Sequence, residues 1–96
     1  FGPVACVYKF ADEQQVISLA NNSRYGLGAS VWGRDFEKIN SIVKEIDCGA
    51  IFVNSIVKSD PRVPFGGIKL SGIGRELGEQ GIKEFVNIKT LNYYLP

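Results

Sequence analysis

The chain has 96 residues, enough for one small core, and its 45% hydrophobic and 22% charged composition is that of a folded domain rather than a disordered one. Eleven Lys and Arg stand against ten Asp and Glu, so there is no field strong enough to draw in nucleic acid or an anionic membrane surface. With no histidine in the chain, an imidazole base and any His-containing metal site are excluded.

In chain order, residues 4–10 (Val-Ala-Cys-Val-Tyr-Lys-Phe) follow a Gly-Pro turn and are apolar and β-favouring, the pattern of a strand covered on both faces. Asp12 and Gln15 resemble a capping box, and Val16, Leu19 and Ala20 recur at helical spacing, which predicts a short helix to about Asn21. A turn-rich stretch over 22–28 leads into residues 29–32, which alternate like a strand. Asp35 is a good N-cap for a second helix whose face carries Phe36, Ile39, Ile42, Val43 and Ile46, with Gly49 as its C′ residue. Residues 50–53 (Ala-Ile-Phe-Val) read as a third, buried strand. This strand-helix-strand-helix-strand order predicts an α/β fold with parallel pairing and right-handed connection.

Residues 54–74 have no clear period but much Gly, Pro and Ser, a length that in a compact domain points to a working loop. A helix over 76–85 follows, weakened by Gly78 and Gly81 at up to about 1 kcal/mol each. Residues 86–94 favour a terminal strand, and Val86, Ile88, Leu91, Tyr93 and Tyr94 would be costly to leave in water. That strand either adds to a partner subunit or pairs within its own. No apolar run approaches the roughly 20 residues that span a bilayer, and no basic-then-apolar signal opens the chain, so a soluble, cytoplasmic protein is expected. The absence of Met, including at position 1, is what a piece of a longer polypeptide would show.

Several residue groups invite a catalytic reading that their surroundings do not support. Gly72, Gly74 and Gly78 miss the dinucleotide fingerprint by one position, and Ile73 stands where a phosphate-binding loop needs lysine. Turns and positive φ account for these glycines more simply. Cys6 sits mid-strand and Cys48 beside a helix end whose dipole opposes a thiolate, so both read as buried structural thiols. Asp60 and Glu76, the latter next to Arg75, lack an acid-base partner in sequence and read as solvated or locally ion-paired groups. Ser55 and Ser59 have no His or base to activate them, which leaves them as hydrogen-bonding anchors.

Over its whole length the chain resembles the C-terminal segment of the aldehyde dehydrogenase superfamily. The resemblance is carried by Phe1-Gly2-Pro3-Val4, by Ala20-Asn21 with Tyr25-Gly26-Leu27-Gly28, and by Gly49 with Val53-Asn54. Pro64-Phe65-Gly66-Gly67-Ile68-Lys69, Ser71-Gly72-Ile73-Gly74-Arg75-Glu76 and Lys89-Thr90 complete it in family order and spacing. It implies the C-terminal part of the catalytic domain over residues 1–85 and an oligomerisation strand over 86–96. The implied parent is an NAD- or NADP-dependent enzyme that oxidises an aldehyde to a carboxylic acid through a cysteine thiohemiacetal, with the nucleophilic Cys, the base Glu and the nucleotide-binding domain all upstream of Phe1. Neither Cys6 nor Cys48 is that nucleophile.

Position by position, the resemblance implies that Phe1 packs near the nicotinamide ribose and Phe65 lines the aldehyde tunnel. Ser59, five residues after Asn54, matches the serine that helps hold the distal carboxylate in succinate-semialdehyde dehydrogenases. Lys58 departs from the small or apolar residue expected beside it. The implied partners are the upstream part of the same polypeptide, further copies of the chain and a small aldehyde. The alternative is a non-catalytic interaction module derived from the enzyme, which the reading frame upstream of Phe1 would distinguish.

Overall fold

The computed structural model describes residues 2–96; Phe1, expected at the cofactor edge, lies outside them. Helix α1 (Glu13–Asn21) begins where its cap is built. The Asp12 carboxylate accepts the Gln15 N–H at 2.8 Å, and Gln15 Oε1 reaches back to accept the Ala11 N–H at 2.6 Å, so two donors that the helix leaves open are satisfied. Of the expected apolar face only Val16 is sheltered, while Leu19 and Ala20 face outward. The short strand β1 (Tyr25–Gly26) and then β2 (Gly28–Val31) follow.

Asp35 caps helix α2 (Phe36–Glu45) by accepting the Lys38 N–H at 3.0 Å. Ile39, the only buried large apolar side chain among the described residues, is 4% exposed and defines the core. Ile42, Val43 and Ile46 flank it half-buried, whereas Phe36 stays exposed. The helix delivers the chain to β3 (Ala50–Val53), which pairs with β2 in parallel from Gly28↔Ala50 to Val31↔Val53. The expected strand-helix-strand unit with parallel pairing therefore forms. Asn21 ties the two helix ends together: its Nδ2 donates to the Glu45 carbonyl at 2.7 Å and its Oδ1 accepts the Asp47 N–H at 2.8 Å.

Gly49 is not a helix C′ residue. Helix α2 stops at Glu45 with Ile46 extended, and Gly49 is absent from the residues with positive φ. Glycine is needed there because the chain is crowded: a Cβ would run into the carbonyl of Gly66, and the Gly49 N–H donates to the Gly26 carbonyl at 3.0 Å.

The glycine-rich stretch is more ordered than its sequence suggests. Strand β4 (Ile68–Lys69) pairs antiparallel with β1, and Phe65 and Glu76 exchange two backbone hydrogen bonds of 2.8 Å. Helix α3 (Gly78–Lys83) is shorter than the 76–85 span expected, because Leu77 and Gly78 both take positive φ at its entry.

Two expected strands do not form. Residues 2–12 and 82–96 are exposed throughout, and neither 4–10 nor 86–94 belongs to a ladder; a strand exists only with a hydrogen-bonding neighbour, and none of the described residues supplies one. Cys6 is accordingly exposed rather than buried, while Cys48 is half-buried and its thiol donates to the Ala50 carbonyl at 3.2 Å. The accessible surface is 8369 Å², against about 5,500 Å² for a compact protein of this mass. The radius of gyration is 18.3 Å, against about 12.5 Å. Apolar side chains in these segments, such as Val7 and Phe85, are 89% and 91% exposed.

The Gly49 contact yields a stability prediction. In the protein carrying this segment, Gly49→Ala sets a methyl against a backbone carbonyl that cannot rotate away, and it should cost at least about 1–3 kcal/mol. Urea denaturation measures this, and an unchanged midpoint would show that Gly66 does not press on this position.

Candidate functional site

The candidate site is the loop over 54–64 and the glycine-rich turn beyond it. Asn54 opens the loop with φ 52°, a left-handed conformation that Asn tolerates. Its side chain is clamped on both sides: Oδ1 accepts the Gly33 N–H at 2.8 Å and Nδ2 donates to the Gly33 carbonyl at 2.9 Å. The Asn54 N–H continues the sheet to the Val31 carbonyl at 2.8 Å. The loop therefore leaves the sheet from a fixed point.

Ser59 lies on this loop, exposed, and its hydroxyl takes no hydrogen bond within the described residues. Lys58 beside it is exposed as well. Ser55 Oγ reaches only the Ile56 carbonyl, at 3.5 Å. Asp60 is ion-paired, as one of its two sequence readings had it. Oδ2 receives Arg62 Nη2 at 2.5 Å, and Oδ1 accepts both Nε and the backbone N–H of Arg62 at 2.9 Å. The Arg62 guanidinium and N–H together hold the Asp60 carboxyl well below its ordinary 3.8, at about 2. Arg62 escaped the sequence reading, although Asp-Pro-Arg carries a signal: Asp opening a turn with Pro next is a common turn start.

Phe65 is half-buried and borders a cavity of about 500 Å³, with Gly66, Gly67, Arg75, Glu76 and Phe85 among the other walls. Arg75 does not pair with Glu76. Its Nη1 donates instead to the carbonyls of Gly67 at 3.0 Å and Gly74 at 2.7 Å, closing the turn around itself. Ser59 does not border this cavity. Ser59 and Phe65 thus flank one loop but do not converge on one pocket within the described residues. The glycine run shapes the turn: Gly74 and Gly78 take φ of 69° and 59°, and Arg75 is occupied by carbonyls of its own turn. No helix is long and apolar enough to cross a membrane among the described residues.

Comparison with known proteins agrees with these motifs. The family model described as "Aldehyde dehydrogenase family" matches residues 1–91. A probable NADP(+) succinate-semialdehyde dehydrogenase from Synechocystis is 52% identical over 91 residues, which cover 95% of this chain and 20% of that protein. Among solved structures, succinic semialdehyde dehydrogenase from Streptococcus pyogenes, in complex with NADP+, superposes with a TM-score of 0.84 at 44% identity, covering 95% of this chain and 21% of the other. Betaine aldehyde dehydrogenase from Staphylococcus aureus, in complex with NAD+, gives 0.83 at 40% identity over 88% of this chain and 17% of the other. The chain spans about a fifth of the length of the curated relatives it matches.

The Asp60–Arg62 geometry makes a titration prediction. A carboxyl lowered to about 2 from 3.8 keeps the turn's ion pair intact above pH 4 and releases it as pH falls through about 2. Carbon-13 NMR of the Asp60 carboxyl should therefore show a midpoint near 2 that returns toward 3.8 in Arg62→Gln. A midpoint that ignores the substitution would mean that the pair is not formed in solution.

Proposed function

The chain belongs to the aldehyde dehydrogenase family, and we propose that it is the C-terminal segment of an NAD- or NADP-dependent enzyme that oxidises succinate semialdehyde to its carboxylic acid. The observation that carries the substrate is Ser59, an exposed hydroxyl without a partner among the described residues, on a loop that leaves the sheet from a clamped Asn54. A free donor on a fixed wall suits a carboxylate at the far end of a short aldehyde. Its identity with a probable succinate-semialdehyde dehydrogenase supports the same choice.

The roles within the segment divide along the chain. Residues 1–85 complete the catalytic domain, with Phe65 shaping the aldehyde tunnel and Phe1 packing at the nicotinamide ribose. The nucleotide supplies hydride acceptance when bound. The described residues do not by themselves form a cradle for its phosphates, so the cofactor is held by the upstream part of the polypeptide. The nucleophilic Cys and the base Glu also belong there, and the 96 residues alone should not reduce NAD or NADP with any aldehyde. A cytoplasmic location belongs to the same proposal.

Residues 86–96 are proposed to dock on a second copy as an added strand. Ile88, Tyr93 and Tyr94 are all more than 80% exposed here, and backbone groups without a ladder are open to pairing with another chain. A reading as a stand-alone interaction module rests on the same exposed tail. An upstream frame encoding the active-site Cys and Glu supports the enzyme, whereas a start codon immediately upstream of Phe1 supports the module.

Two experiments on the full-length enzyme test this reading. Ser59→Ala should lower kcat/KM for succinate semialdehyde by the worth of a charge-assisted hydrogen bond, about 1.5–3 kcal/mol or roughly 10- to 150-fold, and leave an uncharged aldehyde of similar length nearly unaffected. Equal losses on both substrates would remove Ser59 from the carboxylate. Ile88→Lys should shift the sedimenting species to a smaller assembly, and an unaltered mass in the ultracentrifuge would take the tail out of the subunit contact.

A further inference from the structure

The loop that carries Ser59 is held from both sides, and the two holds nearly meet at that residue. Upstream, Val57 packs over Gly28 of β2, close enough that a Cβ at Gly28 would lie 2.8 Å from Val57 Cγ1. Downstream, Asp60 opens a turn in which the Val63 N–H donates to the Asp60 carbonyl at 3.2 Å. The Asp60 carboxylate closes over that turn by accepting three donors from Arg62. The turn is in turn docked on the entry of α3, where the Gly78 N–H donates to the Pro61 carbonyl at 3.1 Å. A Cβ on Gly78 would lie 3.1 Å from the Pro64 nitrogen, so the two backbones touch. Between the anchors at Val57 and Asp60 only Lys58 and Ser59 are unheld among the described residues, and the three Cα steps from 57 to 60 span at most about 11 Å.

Resting on the reading of Ser59 given above, we propose that the Asp60–Arg62 pair is a positioning element that presents the Ser59 hydroxyl to the distal carboxylate of an anionic aldehyde. Stability does not explain the pair, because an ion pair this open to solvent adds little to the global fold; the Arg62 side chain is 85% exposed. Asp60 already takes Nε and Nη2 of the guanidinium, so Arg62 could meet a substrate carboxylate only from its Nη1 side, an alternative that the Ser59→Ala background separates from positioning. What the pair does is fix the backbone at residue 60, one bond from Ser59. Lys58, Asp60 and Arg62 together leave the loop one net positive charge.

The test is steady-state kinetics of the full-length enzyme with succinate semialdehyde and with butanal, for Asp60→Ala, Arg62→Ala, Ser59→Ala and the two double variants that include Ser59→Ala. Asp60→Ala and Arg62→Ala should each raise KM for succinate semialdehyde by about three- to tenfold with kcat within about twofold and butanal unaffected. Neither should add to the loss already caused by Ser59→Ala. Asp60→Asn, which keeps an acceptor for the Arg62 N–H, should recover part of the KM. If Ser59→Ala shows no loss selective for the charged aldehyde, the reading of Ser59 fails and this inference with it. If Ser59→Ala shows that loss but Asp60→Ala and Arg62→Ala leave KM unchanged, the positioning role alone is overturned. It is also overturned if Arg62→Ala keeps its full effect in the Ser59→Ala background, because Arg62 would then contact the carboxylate itself. Equal losses on both aldehydes would reduce the pair to a general structural brace and overturn the proposal as well.

Discussion

The backbone of Gly49 lies so near the carbonyl of Gly66 that no side chain fits between them, and the placement of the glycine-rich loop follows from that approach. Gly49 stands immediately before β3, and its N–H is bonded to Gly26 at the end of β1. Gly26 in turn donates its N–H to Ser71 Oγ at 3.0 Å. A strand-helix-strand unit and a glycine-rich loop that share no helix and little apolar surface are thereby brought together by backbone contact. Phe65, one residue before Gly66, takes its position from this junction, as does the cavity it borders.

The features legible in the sequence are those written over a few neighbouring residues. Asp12 and Asp35 announced their helices because an N-cap bonds a donor three residues away. Ile39 announced the core because its helix repeats its apolar face every three or four positions. The parallel pairing of residues 28–31 with 50–53 followed from the intervening helix. The reason for Gly49 was misread because its neighbour, Gly66, is distant in sequence, and a glycine after a helix has the same one-letter appearance whether it turns left-handed or merely yields space. Residues 4–10 and 86–94 have strand composition without strand structure for a related cause: composition reports the tendency to pair, and pairing needs a second strand that the described residues do not contain.

The candidate site was legible by resemblance more than by physics. Ser59 and Phe65 are ordinary residues by composition, and nothing in their spacing singles them out. Their geometry separates the two, one on an open loop and the other half-buried beside a glycine turn. The pair at Asp60 and Arg62 was half visible, since an acid that looked solvated or locally paired proved to be paired two residues on. Both end segments leave large apolar side chains exposed, among them Val7, Phe85 and Tyr94.

The double clamp of Asn54 on Gly33 has a further consequence for how that wall would meet its ligand. A segment fixed at its root by two side-chain hydrogen bonds and at its far end by a backbone bridge has already given up part of its conformational freedom. A ligand arriving there loses less of its binding free energy to the ordering of the loop. Discrimination between ligands would then show mainly in how long each one stays, because encounter with a prebuilt surface differs little from one small ligand to the next.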